Sequence, residues 1–169
     1  MISAKERVDE LKRKRQSKLD GRLQLIPFYH HFPKLSEFVP GIFRGAMITC
    51  MAGTGIGKSK FTRYCTILIP YWLKQKENLK YKIIYFALEE SEEEFIDYVI
   101  LMLLNINYGI EVDYASINSY RKDVVSQDIL DKMDSCAEEV DKILEDVIIV
   151  TNTYNPTGMY KRCMQHALE

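Results

Sequence analysis

Three short apolar runs, separated from one another by stretches of helix-forming residues, constrain the fold of this chain more than any other feature of its sequence. The runs are AMITCMA at 46–52, KIIYFAL at 82–88 and VIIV at 147–150. Short continuous apolar runs are typical of strands that are covered on both faces, as in a parallel sheet. Strands that alternate with helices form βαβ units. The sequence therefore predicts an α/β fold with a parallel sheet flanked by helices.

Helices are predicted around these strands from periodicity and end signals. Ser91 and Ser126 are placed as N-caps of two of them, and Gly109 is placed as a stop. Pro70 falls inside another predicted helix and should kink it. Residues 20–45 contain several Pro and Gly residues and are predicted to be irregular, as the mixed residues 110–125 are too. The predicted helices cover 2–19, 58–77, 91–108, 127–145 and a final segment opened by Asn155-Pro156-Thr157.

Composition excludes several protein classes. The chain has 169 residues, of which 11% are aromatic and 28% charged, so it can bury a core and is not simply disordered. No apolar run reaches the roughly 18 residues of a membrane helix, and no apolar stretch follows the basic N-terminus as in a signal peptide. Residues 1–22 carry eight basic and four acidic side chains, whereas 123–146 carry two and nine. The net charge of −1 gives no overall attraction to nucleic acid.

The four cysteines and the adjacent histidines give no sign of a metal site. The spacings between the cysteines fit neither a zinc site nor a disulfide scaffold. We expect buried free thiols in a reducing cytoplasm. His30 and His31 are predicted to lie in a loop or to pack rather than to bind metal. The cysteines are Cys50, Cys65, Cys136 and Cys163.

A glycine-rich segment between the first predicted strand and the following helix fits the phosphate-binding pattern A/G-x-x-x-x-G-K-S/T, called Walker A. Glycines let the backbone wrap a phosphate, and successive N–H groups then point at it together with the helix N-terminus. Lys58 would reach the β- and γ-phosphates, and the Ser59 hydroxyl would ligate Mg²⁺. A chance match occurs in roughly one chain in a hundred at average residue usage; the alternative is a glycine-rich turn beside a surface lysine. The segment is Ala52, Gly53, Thr54, Gly55, Ile56, Gly57, Lys58 and Ser59.

A second candidate group lies at the end of the second predicted strand, which reads Leu88-Glu89-Glu90-Ser91. Ligands of open α/β sheets bind beyond the carboxyl ends of the strands. Glu89 is therefore expected on the same edge as the phosphate-binding loop. A carboxylate there could orient the attacking water and accept its proton. Glu90 is the fallback for this role, and the alternative is an acidic helix start that only complements the helix dipole.

The Walker A loop, followed about thirty residues later by a strand ending L-E-E-S, resembles the RecA-like motor of hexameric replicative helicases. DnaB-type helicases and their bacteriophage relatives are the most similar group. The resemblance covers roughly residues 20–165. It extends to Phe32-Pro33-Lys34-Leu35, Pro40-Gly41-Ile42, Arg44-Gly45 and Asn155-Pro156-Thr157-Gly158.

The resemblance implies a P-loop NTPase that binds and hydrolyses ATP with Mg²⁺ as part of DNA unwinding in replication. The resemblance also implies that Lys58 and Ser59 bind phosphate and Mg²⁺, and that Glu89 is the catalytic glutamate. It also implies a homo-oligomer, expected as a hexameric ring, single-stranded DNA as a partner of the full-length protein, and no membrane partner. Residues 1–20 are expected to form a basic linker helix that packs on a neighbouring subunit, and 21–169 a partial RecA-like ATPase domain.

One element of the family is not found in the sequence. The family uses a Walker B strand that ends in Asp, but VIIV is followed by Thr151 and Asn152, which are poor Mg²⁺ ligands. We expect the fold to stop one strand short of Walker B, with an exposed sheet edge that favours aggregation or pairing with a partner. The DNA-binding loops and the arginine finger, worth about 10³–10⁵ in rate, would also be missing. The chain alone is therefore expected to bind nucleotide better than it hydrolyses it.

Two other function classes remain open. A small-molecule or nucleotide kinase also uses a P-loop, but usually near the N-terminus and with an Arg-rich lid; here only Arg121 and Arg162 follow Arg63. A non-catalytic RecA-like switch module is the other class, and the Glu89-Glu90 pair is similar to that branch too. Phosphotransfer to an acceptor would favour the kinase. Nucleotide-driven ring assembly without DNA stimulation would favour the switch.

Overall fold

The computed structural model describes residues 3–20, 25–77, 81–118 and 124–167. It shows a mixed α/β chain that divides into two compact units, Met1–Tyr81 and Lys82–Glu169. No helix in the described ranges is long and apolar enough to cross a membrane. The prediction of one domain over 21–169 stays a prediction.

The first unit contains helices and one small antiparallel ribbon. The predicted N-terminal helix is confirmed as α1 (Ala4–Leu19). Hydrogen bonds from Lys14 and Arg7 to the Glu10 carboxylate in this helix lower the pKa of Glu10 to about 2. The Pro-rich segment is not wholly irregular, since β1 (Leu25–Pro27) and β2 (Gly41–Phe43) pair in the register Leu25 to Phe43. Three-residue strands leave little periodic signal, so their pairing is visible only in the structure. The elements are α1 (Ala4–Leu19), β1 (Leu25–Pro27), α2 (Pro33–Ser36), β2 (Gly41–Phe43), α3 (Lys58–Arg63) and α4 (Ile69–Glu77).

A π-helical turn, Tyr64–Leu68, joins α3 to α4. The Ile69 N–H donates to the Tyr64 carbonyl, five residues earlier, and Pro70 follows at once. Proline has no N–H and its ring crowds the preceding turn, so a wider turn lets the helix continue past it. The helix predicted over 58–77 is thus present, with its irregularity placed before Pro70.

An aromatic cluster forms around the buried Phe28, Cys65 and Ile69 in this unit. His31 stacks on Trp72 with ring centroids 5.4 Å apart, and its Nδ1 lies 3.0 Å from the Tyr64 hydroxyl. Burial, with smaller effects of His30 and Lys76, lowers the pKa of His31. His31 therefore packs, as predicted for this pair, and the described residues include no group of three or more His, Cys, Asp or Glu that could hold a metal ion.

The prediction of a buried strand at 46–52 is wrong. These residues form no strand and are all exposed, with Met47 94% and Met51 86% exposed. An apolar run of this length is typical of a strand, but a strand needs a neighbour to pair with. No strand in the described part of the chain pairs with 46–52.

The second unit contains the parallel pair that the other two apolar runs predict. β3 (Ile83–Phe86) and β4 (Val147–Val150) pair in parallel, Ile83 with Val147 and Phe86 with Val150. The described sheet has two strands, and β3 is half-buried rather than covered on both faces. The helices of this unit are α5 (Glu92–Tyr108), α6 (Tyr114–Ile117), α7 (Gln127–Leu144) and α8 (Pro156–Ala167).

The core of this unit lies between the strands, α5 and α7. Phe95 is fully buried, and its ring centroid lies 4.6 Å from that of Tyr85 on β3. From α7, Val140 and Ile143 are buried at 2% and 1% exposure. The helices therefore bury one apolar side each, as expected for amphipathic helices on a sheet. The remaining fully buried side chains of α5 are Leu103, Leu104 and Val99.

The prediction of four buried thiols is half correct. Cys65 and Cys136 are buried, whereas Cys50 and Cys163 are exposed. Burial raises the pKa of the Cys65 thiol to about 12. All four are free, as predicted. The error at Cys50 has the same origin as the error at 46–52, because this thiol would be buried only if that segment were a covered strand.

The two serine caps differ, which gives a matched pair for mutation. Ser91 forms a full capping box, since its hydroxyl accepts from the Glu94 N–H at 3.1 Å and Glu94 accepts from the Ser91 N–H. Ser126 is in the N-cap position of α7 but its side chain makes no capping hydrogen bond. Ser91→Ala is therefore expected to lower the free energy of unfolding by about 1 kcal/mol, and Ser126→Ala by much less. Urea unfolding followed by circular dichroism measures both, and equal losses would contradict this assignment.

Candidate functional site

The glycine-rich loop leads directly into a helix, which is one half of the strand–loop–helix arrangement typical of a phosphate-binding loop. The strand that the sequence predicts before the loop is not formed. α3 begins at Lys58, and the first helical hydrogen bond runs from the Phe61 N–H to the Gly57 carbonyl at 2.9 Å. Gly57 is the N-cap in the left-handed conformation, with φ of 96°, and no side chain caps the helix. The first N–H groups of the helix are therefore left without a side-chain acceptor.

The backbone of the loop depends on two glycines with positive φ. Gly55 has φ of 76° and Gly57 has φ of 96°. A Cβ atom at either position would meet no atom within 4 Å, so the space beside both residues is open. Here the glycines serve the backbone conformation, since other residues avoid this region of φ.

Lys58 folds back over the loop. Its Nζ donates a hydrogen bond of 2.7 Å to the carbonyl oxygen of Ala52, the first residue of the loop. The side chains of Lys58 and Ser59 are both exposed. The positive charge of Lys58 is thus held above the loop by a neutral acceptor.

The eight predicted loop residues thus lie together in the first unit as one exposed loop and helix start, from Ala52 to Ser59. A nucleoside triphosphate with Mg²⁺ needs a cation, a hydroxyl, glycines and an uncapped helix start. This loop supplies all four. The donor set therefore fits this ligand.

Glu89 lies in the second unit, in a bend between β3 and α5. Its placement beside the phosphate-binding loop stays a prediction. The ladder between the strands extends past β3, because the Ala87 N–H donates to the Val150 carbonyl at 3.0 Å. Leu88 and Glu89 are the first residues beyond that ladder, and both are exposed.

The two neighbouring glutamates differ in their surroundings. Glu90 is half-buried, and its Oε1 accepts a hydrogen bond of 2.7 Å from the Tyr85 hydroxyl. Glu89 has an exposed side chain, and no hydrogen bond or ion pair engages it in the described ranges. Of the two, Glu89 has the more exposed carboxylate, and its catalytic role stays a prediction.

The turn after β4 reaches the same edge of this unit's sheet. The Asn155 side chain caps α8, since its Oδ1 accepts from the Gly158 N–H at 2.7 Å. A Cβ on Gly158 would lie 2.7 Å from the Thr153 Cγ2 atom, so the turn needs glycine there. The motif N-P-T-G therefore has a structural reason in this chain, which is the close approach of the turn to the helix start.

One buried charge was not singled out from the sequence. Arg63, the last residue of α3, is 3% exposed. Arginine is rarely buried in this way, since the charge needs compensating partners. No sequence signal marks it, because its neighbours Thr62 and Tyr64 are also polar.

Alanine at Gly57 tests the loop conformation, and Gly45 offers a matched control. Gly45 also has positive φ, 77°, and open space beside its Cβ position, but it lies outside the loop. Each substitution by alanine is expected to cost about 1–2 kcal/mol of backbone strain. Gly57→Ala should also weaken Mg·ATP binding, while Gly45→Ala should leave that binding unchanged in calorimetry. Equal binding by both variants would contradict the role of the loop.

No protein-family model, no curated protein and no solved structure matches this chain.

Proposed function

We propose that this chain binds the triphosphate of Mg·ATP in the loop from Ala52 to Ser59, as the nucleotide-binding part of a RecA-like helicase motor. The observation that carries the proposal is the hydrogen bond from Lys58 Nζ to the Ala52 carbonyl across a loop whose helix start has no side-chain cap. Lys58 can release the neutral Ala52 carbonyl and donate to a charged phosphate oxygen instead, without movement of its backbone.

Binding of the phosphates follows from this exchange. A phosphate oxygen is a stronger partner for an ammonium group than a carbonyl is, because its negative charge adds a Coulomb attraction to the hydrogen bond. The N–H groups at the start of α3 add donors and a partial positive charge of roughly +0.5. Lys58 and these N–H groups then hold the phosphates from two sides.

Ser59 completes the site by its hydroxyl. Mg²⁺ keeps several waters and is bound in such sites by phosphate oxygens and one or two protein oxygens. A Mg²⁺ ion held there would neutralise part of the phosphate charge. Ser59 is exposed beside Lys58 and is the loop residue that can supply the protein oxygen.

Hydrolysis is assigned to Glu89. The resemblance implies that a glutamate at this point of the sequence orients the attacking water and takes its proton. In this chain the Glu89 carboxylate is exposed, whereas Glu90 accepts a hydrogen bond from the Tyr85 hydroxyl. The helicase setting, with single-stranded DNA and a hexameric ring, rests on the resemblance of the sequence motifs. The helicase function is a separate claim from nucleotide binding, and it can be wrong even if the loop binds nucleotide.

A second candidate function is a nucleotide-binding switch that does not hydrolyse ATP. It is favoured by the residues that follow β4, Thr151 and Asn152, which carry no carboxylate to approach Mg²⁺. Hydrolysis that single-stranded DNA stimulates, and that Glu89→Gln abolishes, supports the motor. Nucleotide-driven ring assembly without stimulation by DNA supports the switch.

Calorimetry of the purified full chain tests the binding step. We expect saturable one-site binding of ATP in the presence of Mg²⁺, weaker binding after chelation of the metal, and far weaker binding of AMP, which lacks the phosphates that Lys58 contacts. Binding of AMP as tight as that of ATP would place recognition on the base rather than on the loop. A folded chain without saturable ATP binding would contradict the proposal.

A further inference from the structure

His31 joins two parts of the first unit that are distant in sequence. It lies in the turn that follows β1, where its N–H donates to the Phe28 carbonyl at 3.0 Å. Its Nδ1 lies 3.0 Å from the hydroxyl of Tyr64, the first residue of the π-helical turn. Its ring stacks on Trp72 of α4, with 17° between the ring planes. One imidazole therefore connects the turn after β1 to both the π-helical turn and α4.

Phe32, the next residue, extends this contact to α3. Its ring centroid lies 5.3 Å from that of Tyr64 and 5.2 Å from that of Phe61. Phe61 belongs to α3, the helix that begins at Lys58. A displacement of the turn after β1 would therefore change the packing of α3 as well.

The surroundings of His31 disfavour a positive charge on its ring. Burial has the largest effect, followed by His30 beside it in the turn and Lys76 on α4, and all three lower the pKa of His31 below its ordinary value of 6.5. The Tyr64 hydroxyl faces the ring from the π-helical turn and stays neutral, since burial raises its pKa. Stacking on Trp72 would attract a protonated ring by a cation–π interaction. Burial and two like charges oppose that attraction.

Protonation would also change the hydrogen bond between His31 and Tyr64. A neutral imidazole with its hydrogen on Nε2 accepts the Tyr64 O–H at Nδ1, whereas a protonated ring carries a hydrogen on both nitrogens and accepts none. The ring would then hold a charge in a half-buried position, with Lys76 as a like charge. Water solvates that charge better than the aromatic cluster does.

We propose that the contact of His31 with Tyr64 and Trp72 is an acid-sensitive switch, which holds the turn after β1 in place while the ring is neutral and releases it when the ring is protonated. The folded chain binds this proton less readily than the unfolded chain does. The stability that the contact provides is therefore complete above pH 6.5 and is lost as the pH falls below that value. The proposal does not depend on nucleotide binding.

Trp72 fluorescence between about pH 8 and pH 5 tests the switch, since Trp72 is the single tryptophan of the chain. We expect a reversible transition in the wild type and none in His31→Gln, which keeps an acceptor for Tyr64 but binds no proton. His166→Gln, in the second unit, is the matched control and should keep the transition. No transition in the wild type, or the same transition in His31→Gln, would overturn the proposal.

Acrylamide quenching of Trp72 separates release of the turn from protonation of the ring in place. We expect stronger quenching at the acidic end of the series, because the released turn no longer covers the indole. Equal quenching at both ends would overturn the release. Far-UV circular dichroism of each variant verifies that it is folded.

Lys76→Glu tests the electrostatic part of the switch. It replaces a like charge near His31 by an opposite one, so the midpoint of the Trp72 transition should move to higher pH. Lys161→Glu, the same change on an exposed position of α8, is the control and should leave the midpoint unchanged. Histidine ring signals in NMR follow the protonation of His31 directly. A midpoint that stays the same in Lys76→Glu, or a His31 ring that binds its proton above pH 6.5 in the wild type, would overturn the proposal.

Discussion

Phe95→Ala is expected to lower the free energy of unfolding of the second unit by about 3–5 kcal/mol. Phe95 is 0% exposed and joins α5 to β3 through its contact with the Tyr85 ring. Truncation removes the transfer energy of the ring and leaves a cavity that the helix and strand cannot close without moving. The loss is a large part of the 5–15 kcal/mol that stabilises an ordinary domain.

Ile106→Ala on the same helix is the matched control for Phe95→Ala. Ile106 is 42% exposed, so we expect a loss of about 1 kcal/mol or less. Urea unfolding followed by far-UV circular dichroism measures both variants, and Trp72 fluorescence reports the first unit. Similar losses for the two variants would show that Phe95 is not at the core of the second unit.

Lys58→Ala is expected to weaken Mg·ATP binding by about 10- to 150-fold, which corresponds to the roughly 1.5–3 kcal/mol of a hydrogen bond to a charged group. In the free protein the lysine contacts the Ala52 carbonyl from an exposed position. Its removal should therefore change stability little while it removes the cation from the phosphates. Weaker binding without a loss of stability would show that Lys58 contacts the nucleotide rather than supports the fold.

Lys60→Ala is the control for charge alone. Lys60 is exposed two residues further along α3 and lies outside the Walker A pattern. It should change the Kd for Mg·ATP less than threefold, an effect on the order of a surface charge in salt. Equal weakening by Lys58→Ala and Lys60→Ala in calorimetry would mean that general attraction, rather than the loop, holds the nucleotide.

Most helices of this chain could be predicted from its sequence because their ends carry local signals. The capping box that starts α5 can be predicted because Ser91 and Glu94 are three residues apart. Gly109 ends that helix in the left-handed conformation. The strand pair of β3 and β4 was likewise predicted as parallel from its apolar runs. These features depend on neighbours in the chain or on the dominant hydrophobic pattern.

The segment 46–52 shows where that reasoning fails. Its apolar residues favour burial, but a strand forms only where another strand supplies hydrogen-bond partners. The same limit applies to β1 and β2, whose pairing joins residues 25–27 to 41–43. Contacts between distant segments are not encoded in local periodicity.

The candidate site was predicted to the extent that it is local. The loop from Ala52 to Ser59 and its helix follow from one continuous pattern, and the structure adds the contact of Lys58 with Ala52. The sequence favours Glu89 over Glu90, and the structure adds that the Tyr85 hydroxyl donates a hydrogen bond to Glu90. The burial of Arg63 also became visible only there.

The central claim is that the backbone N–H groups of this loop hold phosphate. A titration of ¹⁵N-labelled full chain with Mg·ATP, followed by NMR, tests it residue by residue. We predict that the amide signals of Gly53–Ser59 show the largest shifts, and that Lys58→Ala needs a higher nucleotide concentration to reach the same shifts. Large shifts confined to other parts of the chain, or none in a folded protein at saturating nucleotide, would contradict the account.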